Sequence, residues 1–333
     1  MGLDPGIDHM LVMKAVDSIH AKGGKVRELI SLCGGLPDPA AADNPLRYKF
    51  SWSPRGVLVA ACAGAIHVEK GETLTVAPGS LLQSAEASKR FPTMRLEALP
   101  NRDSVKYKEI YGVPDVTTLC RGTLRYEGWS NVMHALQCLQ LLDQQPIDNA
   151  TASQSWAKFM QYRLNANTTN SDELKQSLTA FLTENQVKDV TAAVDAVVWL
   201  GLLEDTPLSS PAAMDSLCTV LQERLAFQDG EKDMVPMYHS VLGELPDGSM
   251  ERHTSRLLAF GTPGGDSAMA ATVGYTTAAA VELILRGDVS RTGVMTPVTE
   301  DLYTPILKRL RELGVTYTES IEEYKYSLYT LNN

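Results

Sequence analysis

The chain opens Met1-Gly2-Leu3-Asp4-Pro5-Gly6-Ile7-Asp8-His9-Met10, and the reading of this stretch decides the fold. Asp4-Pro5-Gly6 is turn chemistry: Pro5 fixes φ, Gly6 reaches conformations other residues avoid, and Asp4 can bond its own backbone. A helical pattern follows at once, with Leu11, Val12, Ala15, Val16 and Ile19 on one apolar stripe. Gly23-Gly24 stops that helix, and residues 26–33 form an apolar run of strand type. Helix, glycine stop and buried strand make an α/β rhythm. The turn also sets the carboxylate of Asp4 at a helix N-terminus, where chains commonly approach a ligand. The plain alternative is a helix-starting turn with Asp8 as a first-turn charge.

Outward from this unit, residues 34–45 are rich in Gly, Pro, Ala and Asp and read as a loop. Ser53-Pro54 is a helix start, serine as cap and proline at the first position, with the helix expected to about residue 67. A strand over 72–76, a helix over 80–89, and strands over 94–99 and 116–126 follow, then a helix from Gly128 to 142. Helical patterns over 156–164, 172–182, 187–203 and 214–225 succeed one another with no strand between them. The α/β texture resumes with runs over 234–245 and 250–260 around Pro246-Asp247-Gly248-Ser249, a β-hairpin with its turn residues in place. Gly261 to Gly265 leads into a long helix over 267–285, and a helix over 302–313 and a short strand near 315–318 close the chain. The expected architecture is an α/β, mixed-sheet unit over 1–126 and 228–261. An all-helical insert over 127–227 interrupts it, and a distinct segment covers 262–333.

The 333 residues suffice for a large core and more than one domain. With 44% hydrophobic and 21% charged residues the chain has an ordinary globular composition. A net charge of −10 without a basic cluster argues against a nucleic-acid surface. No apolar run reaches the length of a membrane span, and no targeting peptide is visible at Met1. Cys33, Cys62, Cys120, Cys138 and Cys218 are odd in number and scattered, which fits free thiols in a reducing compartment.

The six histidines make no HxxxH or HxH pair, the cysteines lack metal spacing, and no GxSxG elbow occurs, so no metal is expected. His9 stands out because it follows the opening turn. Both glycine fingerprints of phosphate binding are missing. Gly261-Thr262-Pro263-Gly264-Gly265 before a helix is either an anion-binding loop or a plain turn. Arg102, Arg121 and Arg125 lie in short motifs with small or polar neighbours. In so acidic a chain they either pair with nearby Asp103, Glu109 or Glu127, or gather as guanidinium forks for a substrate with several carboxylates. Cys33 is either a pocket thiol or a small buried hydrophobe.

Five ordered motifs carry a resemblance. After the opening decapeptide come Cys33-Gly34-Gly35-Leu36-Pro37, Tyr48-Lys49-Phe50-Ser51-Trp52-Ser53, Pro100-Asn101-Arg102-Asp103-Ser104 and Arg121-Gly122-Thr123-Leu124-Arg125-Tyr126. In this order and at these separations the chain resembles the glutamate-forming saccharopine dehydrogenases, from Gly2 to about Glu319. The resemblance covers the later part of the family enzyme. It implies a fragment whose N-terminal dinucleotide-binding domain is missing and whose C-terminal helices would complete that Rossmann domain. The family uses a nicotinamide cofactor to oxidise the secondary amine of saccharopine, and water splits the imine to glutamate and 2-aminoadipate 6-semialdehyde, in lysine metabolism. Carried over by motif, Asp4, Arg102, Thr123, Leu124 and Arg125 are expected at the substrate, and Leu3, Asp4, Pro5 and Ser53 at the cofactor. Asp4 is the candidate base. The block from Asn44 to Pro54 is similar to the bifunctional, mitochondrial form fused behind a lysine–ketoglutarate reductase, which implies NAD, with NADP as the alternative; a stand-alone form would be cytoplasmic. A homo-oligomer is a further expectation. The competing expectation is a non-catalytic carboxylate-binding or oligomerisation module.

Overall fold

Every long element of the structure is explained by where its apolar residues can be hidden. The computed structural model describes residues 1–324, and the end of the expected 262–333 segment lies outside the described residues. The chain begins with α1 (Ile7–Ala21), β1 (Lys25–Cys33) and the two-residue β2 (Leu36–Pro37). It continues through α2 (Pro54–Ala61), β3 (Ala65–Glu69), β4 (Glu72–Val76), β5 (Glu86–Ser88), β6 (Leu96–Pro100) and β7 (Arg102–Asp103). After α3 (Tyr107–Ile110) and β8 (Thr118–Tyr126) come five helices: α4 (Trp129–Cys138), α5 (Trp156–Arg163), α6 (Ser171–Glu184), α7 (Val190–Trp199) and α8 (Ala213–Arg224). The hairpin β9 (Asp233–Glu244) and β10 (Met250–Phe260), then α9 (Ala268–Arg286), α10 (Glu300–Glu312) and β11 (Tyr317–Tyr324) complete it.

The main sheet runs β11-β10-β9-β1-β8-β3-β4. It is mixed: β1 pairs parallel with β8 and antiparallel with β9. The hairpin of the second half therefore joins the sheet of the first half through β1. Between β8 and β9 the described residues hold helices and two isolated bridges, Pro146–Ala212 and Ser155–Pro207.

Strand β9 is buried along nearly its whole length because both faces are covered. Val235, Met237 and Val241 face a core made with α1, α9 and α10, where Ile7, Leu11, Val16, Ile19, Ile306 and Leu310 pack. Met234 and Tyr238 face a second core that also takes in Leu58, Leu96, Leu124, Trp129 and the inner stripes of α4 to α8. Strand β8 reaches both cores, with Leu119 in the first and Leu124 in the second.

Three local expectations fail for identifiable reasons. The helix expected to about residue 67 ends at Ala61, and Ala65–Glu69 is instead a strand closed onto β4 through Lys70 and Gly71, both at positive φ. Gly64 permits the close approach at the open end of this hairpin, since a Cβ there would meet the Val76 carbonyl at 2.8 Å. The helix expected over 80–89 is a 3₁₀ turn, Leu81–Ser84, followed by β5, because pairing with β6 outweighs local propensity. The last strand is longer than expected and adds to the sheet edge along β10.

The expectation that no run reaches membrane length also needs revision. Ala268–Arg286, with 19 residues and a mean hydropathy of 1.4, is long and apolar enough by length and composition to cross a membrane. In this fold its Ala268, Thr272, Thr276, Ala279 and Leu283 stripe is buried, while Val273, Val281, Ile284 and Leu285 are exposed.

Candidate substrate pocket

The opening turn is built around one glycine. Ile7 N–H donates to the Gly2 carbonyl at 3.0 Å and Asp8 N–H to that of Leu3 at 3.1 Å. A Cβ on Gly6 would sit 1.9 Å from the Gly2 oxygen, so no side chain is compatible with the turn. The Asp4–Pro5 bond is cis. Asp8 is fully buried and accepts the Gly6 N–H at 2.6 Å. The two carboxylates thus meet on one side of the helix start.

Arg121 of β8 answers both. Its Nη2 donates to Asp8 Oδ2 at 2.5 Å and to Asp4 Oδ1. The guanidinium lies 4.2 Å from the Tyr107 ring centroid, a cation–π contact in a water-poor site. His9 Nδ1 is 2.7 Å from the Tyr111 hydroxyl, and its ring lies 5.6 Å from each of Tyr107 and Tyr111. Burial and then the Asp8 charge push the Asp4 carboxyl up to about 7, despite Arg121. Burial and then Arg121 hold His9 down to about 4, so its imidazole is neutral at pH 7. Burial opposes the charge of Arg121, but Asp8 and Asp4 outweigh it and keep the group protonated. Burial likewise raises Tyr107 and Tyr111. The cluster therefore contains one carboxyl able to give or take a proton near neutrality, which is what a general base requires.

Four residues along the same strand lies a different kind of arginine. Arg125 is buried between aromatic rings, its guanidinium 5.3 Å from Tyr48 and 5.0 Å from Trp129. Nη1 donates to the Leu124 carbonyl at 2.9 Å, and Nε has no partner. Glu97 stands opposite it on β6 but accepts from Gly128 N–H at 3.1 Å and Ser130 N–H at 2.7 Å, as a cap for α4. Among the described residues Arg125 has no ion pair. It lines a small cavity of about 30 Å³ with Thr123, Asn101, Leu99 and Pro100. Cys33 is buried between the two arginine sites: burial, then Asp4 and Asp8, raise its thiol, while Arg125 and Arg121 pull it down. Gly34 beside it comes so close that a Cβ would lie 2.9 Å from the Leu124 carbonyl.

The motif-derived residues thus fall into three groups. Asp4 joins Arg121, and Leu3 is buried beneath it while Pro5 is exposed. Thr123, Leu124 and Arg125 stand together on β8, with Leu124 wholly in the core. Arg102 is exposed, holds a left-handed backbone with φ 50°, and has no ion pair among the described residues. Ser53 is exposed, and its Oγ accepts the Gly56 N–H at 3.3 Å as the cap of α2. Sequence reasoning missed the pairing of Arg121 with Asp4 and Asp8, and the Tyr107–Tyr111 pair. The spacing of four in both pairs was the available signal.

The glycine loop before α9 resolves toward the plain turn. Asp233, itself buried, accepts from Ala268 N–H at 2.6 Å and Met269 N–H at 3.0 Å, so a carboxylate already fills that helix N-terminus. Pro5 is exposed beside the half-buried Asp4. No phosphate cradle accompanies it among the described residues. These residues also contain no cluster of His, Cys, Asp or Glu able to hold a metal ion.

The mixed α/β fold holds a half-buried carboxyl raised to about 7 and, among the described residues, a buried arginine without an ion pair. Residues 2–315 match the model of the saccharopine dehydrogenase C-terminal domain. The chain is 37% identical over 313 residues to saccharopine dehydrogenase [NADP(+), L-glutamate-forming] of Saccharomyces cerevisiae, covering 94% of this chain and 70% of that protein. It is 38% identical to the mitochondrial alpha-aminoadipic semialdehyde synthase of Bos taurus over 96% of this chain, about a third (34%) of that longer protein. The solved apo structure of the histidine-tagged S. cerevisiae saccharopine dehydrogenase (L-Glu forming) superposes with a TM-score of 0.89 at 36% identity, covering 97% of this chain and 73% of that one. The chain belongs to the saccharopine dehydrogenase C-terminal domain family.

Proposed function

We propose that this chain supplies the saccharopine-binding part of a nicotinamide-dependent, L-glutamate-forming saccharopine dehydrogenase. The observation that carries the reading is Arg125: buried, aromatic-lined and without a carboxylate of its own, beside Thr123. A buried guanidinium lacking an acidic partner is costly unless a ligand supplies one. A substrate with three carboxylates does so, and exposed Arg102, just past the end of β6 where that strand meets Gly122, is a second fork for it. Asp4 receives the proton that leaves the secondary amine, since its carboxyl titrates near 7. Arg121 holds Asp4 in place, and exposed Pro5 and Ser53, with the backbone of buried Leu3, face the cofactor. When bound, the nicotinamide ring accepts hydride. Leu124 contributes its backbone to the substrate wall.

In this reading residues 1–126 and 228–261 form the substrate unit and 127–227 a helical insert. Residues 262–333 are read as the segment that returns to a nucleotide-binding portion, while the inner faces of α9 and α10 pack on α1 and β9 and β11 extends the sheet. The exposed apolar side of α9 gives that return a surface. Names of fungal relatives specify NADP(+), whereas the sequence leans to NAD, so both must be titrated. The mammalian relatives' names place them in mitochondria, and a fused lysine–ketoglutarate reductase form of this chain would share that location.

The test is calorimetry of this chain with saccharopine, then with NAD and NADP. Saccharopine binding lost in Arg125→Ala supports the reading; no saccharopine binding by the wild-type chain refutes it. Binding of saccharopine with neither cofactor binding nor turnover would identify a carboxylate-binding module instead, a reading favoured by the absence of a phosphate cradle among the described residues.

A further inference from the structure

Between α1 and the strands β9, β10 and β11 lies a cavity of about 170 Å³. Leu11, Lys14 and Ala15 form its roof, at the i, i+3, i+4 spacing that sets them on one face of the helix. His239 and Val241 of β9, Ser255 of β10 and Glu319 of β11 form its floor. The registers set His239 beside Ser255 and Ser255 beside Glu319, so these three share one face of the sheet. None of Asp4, Arg121 and Arg125 lines the cavity, which is therefore separate from the substrate pocket.

The floor is polar and unsatisfied. His239 is 1% exposed and, among the described residues, neither ring nitrogen has a hydrogen-bond partner; the buried Ser255 Oγ has none either. Burial, then Arg121 and His9, hold the His239 pKa down to about 3, so the ring is neutral and offers one donor and one acceptor. The rim carries more positive than negative charge. Lys14 Nζ at 2.5 Å and Arg311 Nη2 at 3.5 Å converge on one oxygen of Glu319, and both cations lie against the Tyr317 ring, at 5.6 and 4.3 Å. The other acid nearby, Glu251, already has Lys22 at 2.5 Å and His253. Two cations thus share the Glu319 carboxylate. With side chains 42% and 34% exposed, the Lys14–Glu319 pair is of the weak kind, so Lys14 can turn to another carboxylate at little cost. Leu11, Ala15 and Val241 make the remaining wall apolar.

We propose that this cavity is a second binding site, for a short aliphatic monocarboxylate with a hydroxyl or carbonyl group at its other end. The carboxylate meets Lys14 at the rim, where one positive charge is spare, which favours one carboxylate over two. The oxygen at the far end takes the hydrogen bonds that His239 and Ser255 lack, and the carbons lie along Leu11, Ala15 and Val241. Ser255 is one strand and His239 two strands in from Glu319, about 5 and 10 Å, which is the reach of about four carbons with polar end groups. The cavity is smaller than the roughly 300–1,000 Å³ of drug-sized sites, so the ligand has only a few heavy atoms. Water can satisfy His239 and Ser255 but gains nothing from the apolar wall or the spare cation; the acid gains from both. The site does not depend on the chain's being a saccharopine-binding one.

The test uses three matched probes: 4-hydroxybutyrate, butyrate, which lacks the hydroxyl, and 1,4-butanediol, which lacks the charge. The readout is the set of His239 imidazole resonances in NMR spectra of the full chain, assigned by their loss in His239→Gln. 4-Hydroxybutyrate is expected to shift them saturably, with an affinity about tenfold or more above that of either analogue. Lys14→Met is expected to remove its advantage over the diol, and Ser255→Ala to reduce its advantage over butyrate. Should a variant fail to fold, the comparison of the three probes on the wild-type chain decides alone. No saturable shift with any probe, the result for a cavity that holds water only, overturns the site, and so does equal affinity for all three. Saturating saccharopine is expected to leave the shifts in place; if it abolishes them, the probe occupies the substrate pocket and the second site fails. A chain that gives the shifts and binds no saccharopine keeps this site and refutes the function proposed above.

Discussion

Arg121 and Arg125 lie four residues apart on one strand, both buried and both stacked on aromatic rings, yet they have opposite electrostatic fates. Arg121 is held by two carboxylates of its own chain. Among the described residues Arg125 has none, because the acid opposite it, Glu97, is committed to backbone amides. The difference teaches how one strand serves two purposes. An arginine between two acids helps set the pKa of a carboxyl; one between rings without an ion pair is, in the function proposed above, the socket for a ligand's charge. Burial alone does not distinguish them, and neither does residue type. The partner list does.

The largest break in this contrast is expected from Arg121→Ala. It leaves Asp4 and Asp8 buried together without a cation, and such losses cost about 3–5 kcal/mol. Urea unfolding at pH 8 measures it. The cost is expected to shrink at pH 5, where Asp4 carries a proton. A loss below about 1 kcal/mol at pH 8 would show that the acids do not depend on this guanidinium.

Asp4→Asn sharpens the same side. Folding raises this carboxyl from its ordinary value near 3.8 to about 7, so between these values the folded state binds the extra proton. Wild-type stability from this group therefore falls as pH rises across that window, and the cost is complete above about 7. The asparagine variant does not titrate, so it is expected to gain on wild type from pH 4 to 7, by up to about 4 kcal/mol at 1.4 kcal/mol per unit. Equal slopes of stability against pH for the two proteins would refute this.

On the other side, Arg125→Ala is expected to leave the fold largely intact and to weaken saccharopine binding by about 1.5–3 kcal/mol. Arg125→Lys is expected to recover only part of it, because a point charge replaces a planar fork. Full recovery in calorimetry would show that geometry is irrelevant at the socket. The smallest effect belongs to Arg102→Ala: a stability change within about 0.5 kcal/mol, as for an exposed residue, with weaker saccharopine binding. Unchanged affinity would remove Arg102 from the site.

How much of this was legible follows from distance along the chain. Ser53-Pro54 announced a helix start because the cap bond to Gly56 spans three residues. Residues 250–260 formed a strand at the expected place because turn, alternation and length agreed locally. The Ala-rich run after Val57 misled, since its helical texture yields at Gly64 to a hairpin only the sheet explains. Arg121 and Asp4 are separated by 117 positions, and nothing local favours that partnership over Glu127. The motifs placed Arg125 at a strand end; that Glu97 would be occupied elsewhere was visible only in three dimensions. That His239 shares a row with Arg121 depends on two strand registers, neither of which a single sequence states.

The position of β1 has a consequence for the birth of the molecule. Its neighbour β9 lies about 200 residues downstream, so at 5–20 residues per second a ribosome needs roughly 10–40 s to supply it. Throughout that interval an apolar strand has one edge without a partner, the condition under which chains join one another. The helices between β8 and β9 can settle meanwhile, since their contacts are local. The centre of the sheet is thus synthesised well before it can be closed, which makes it a place for chaperones to guard.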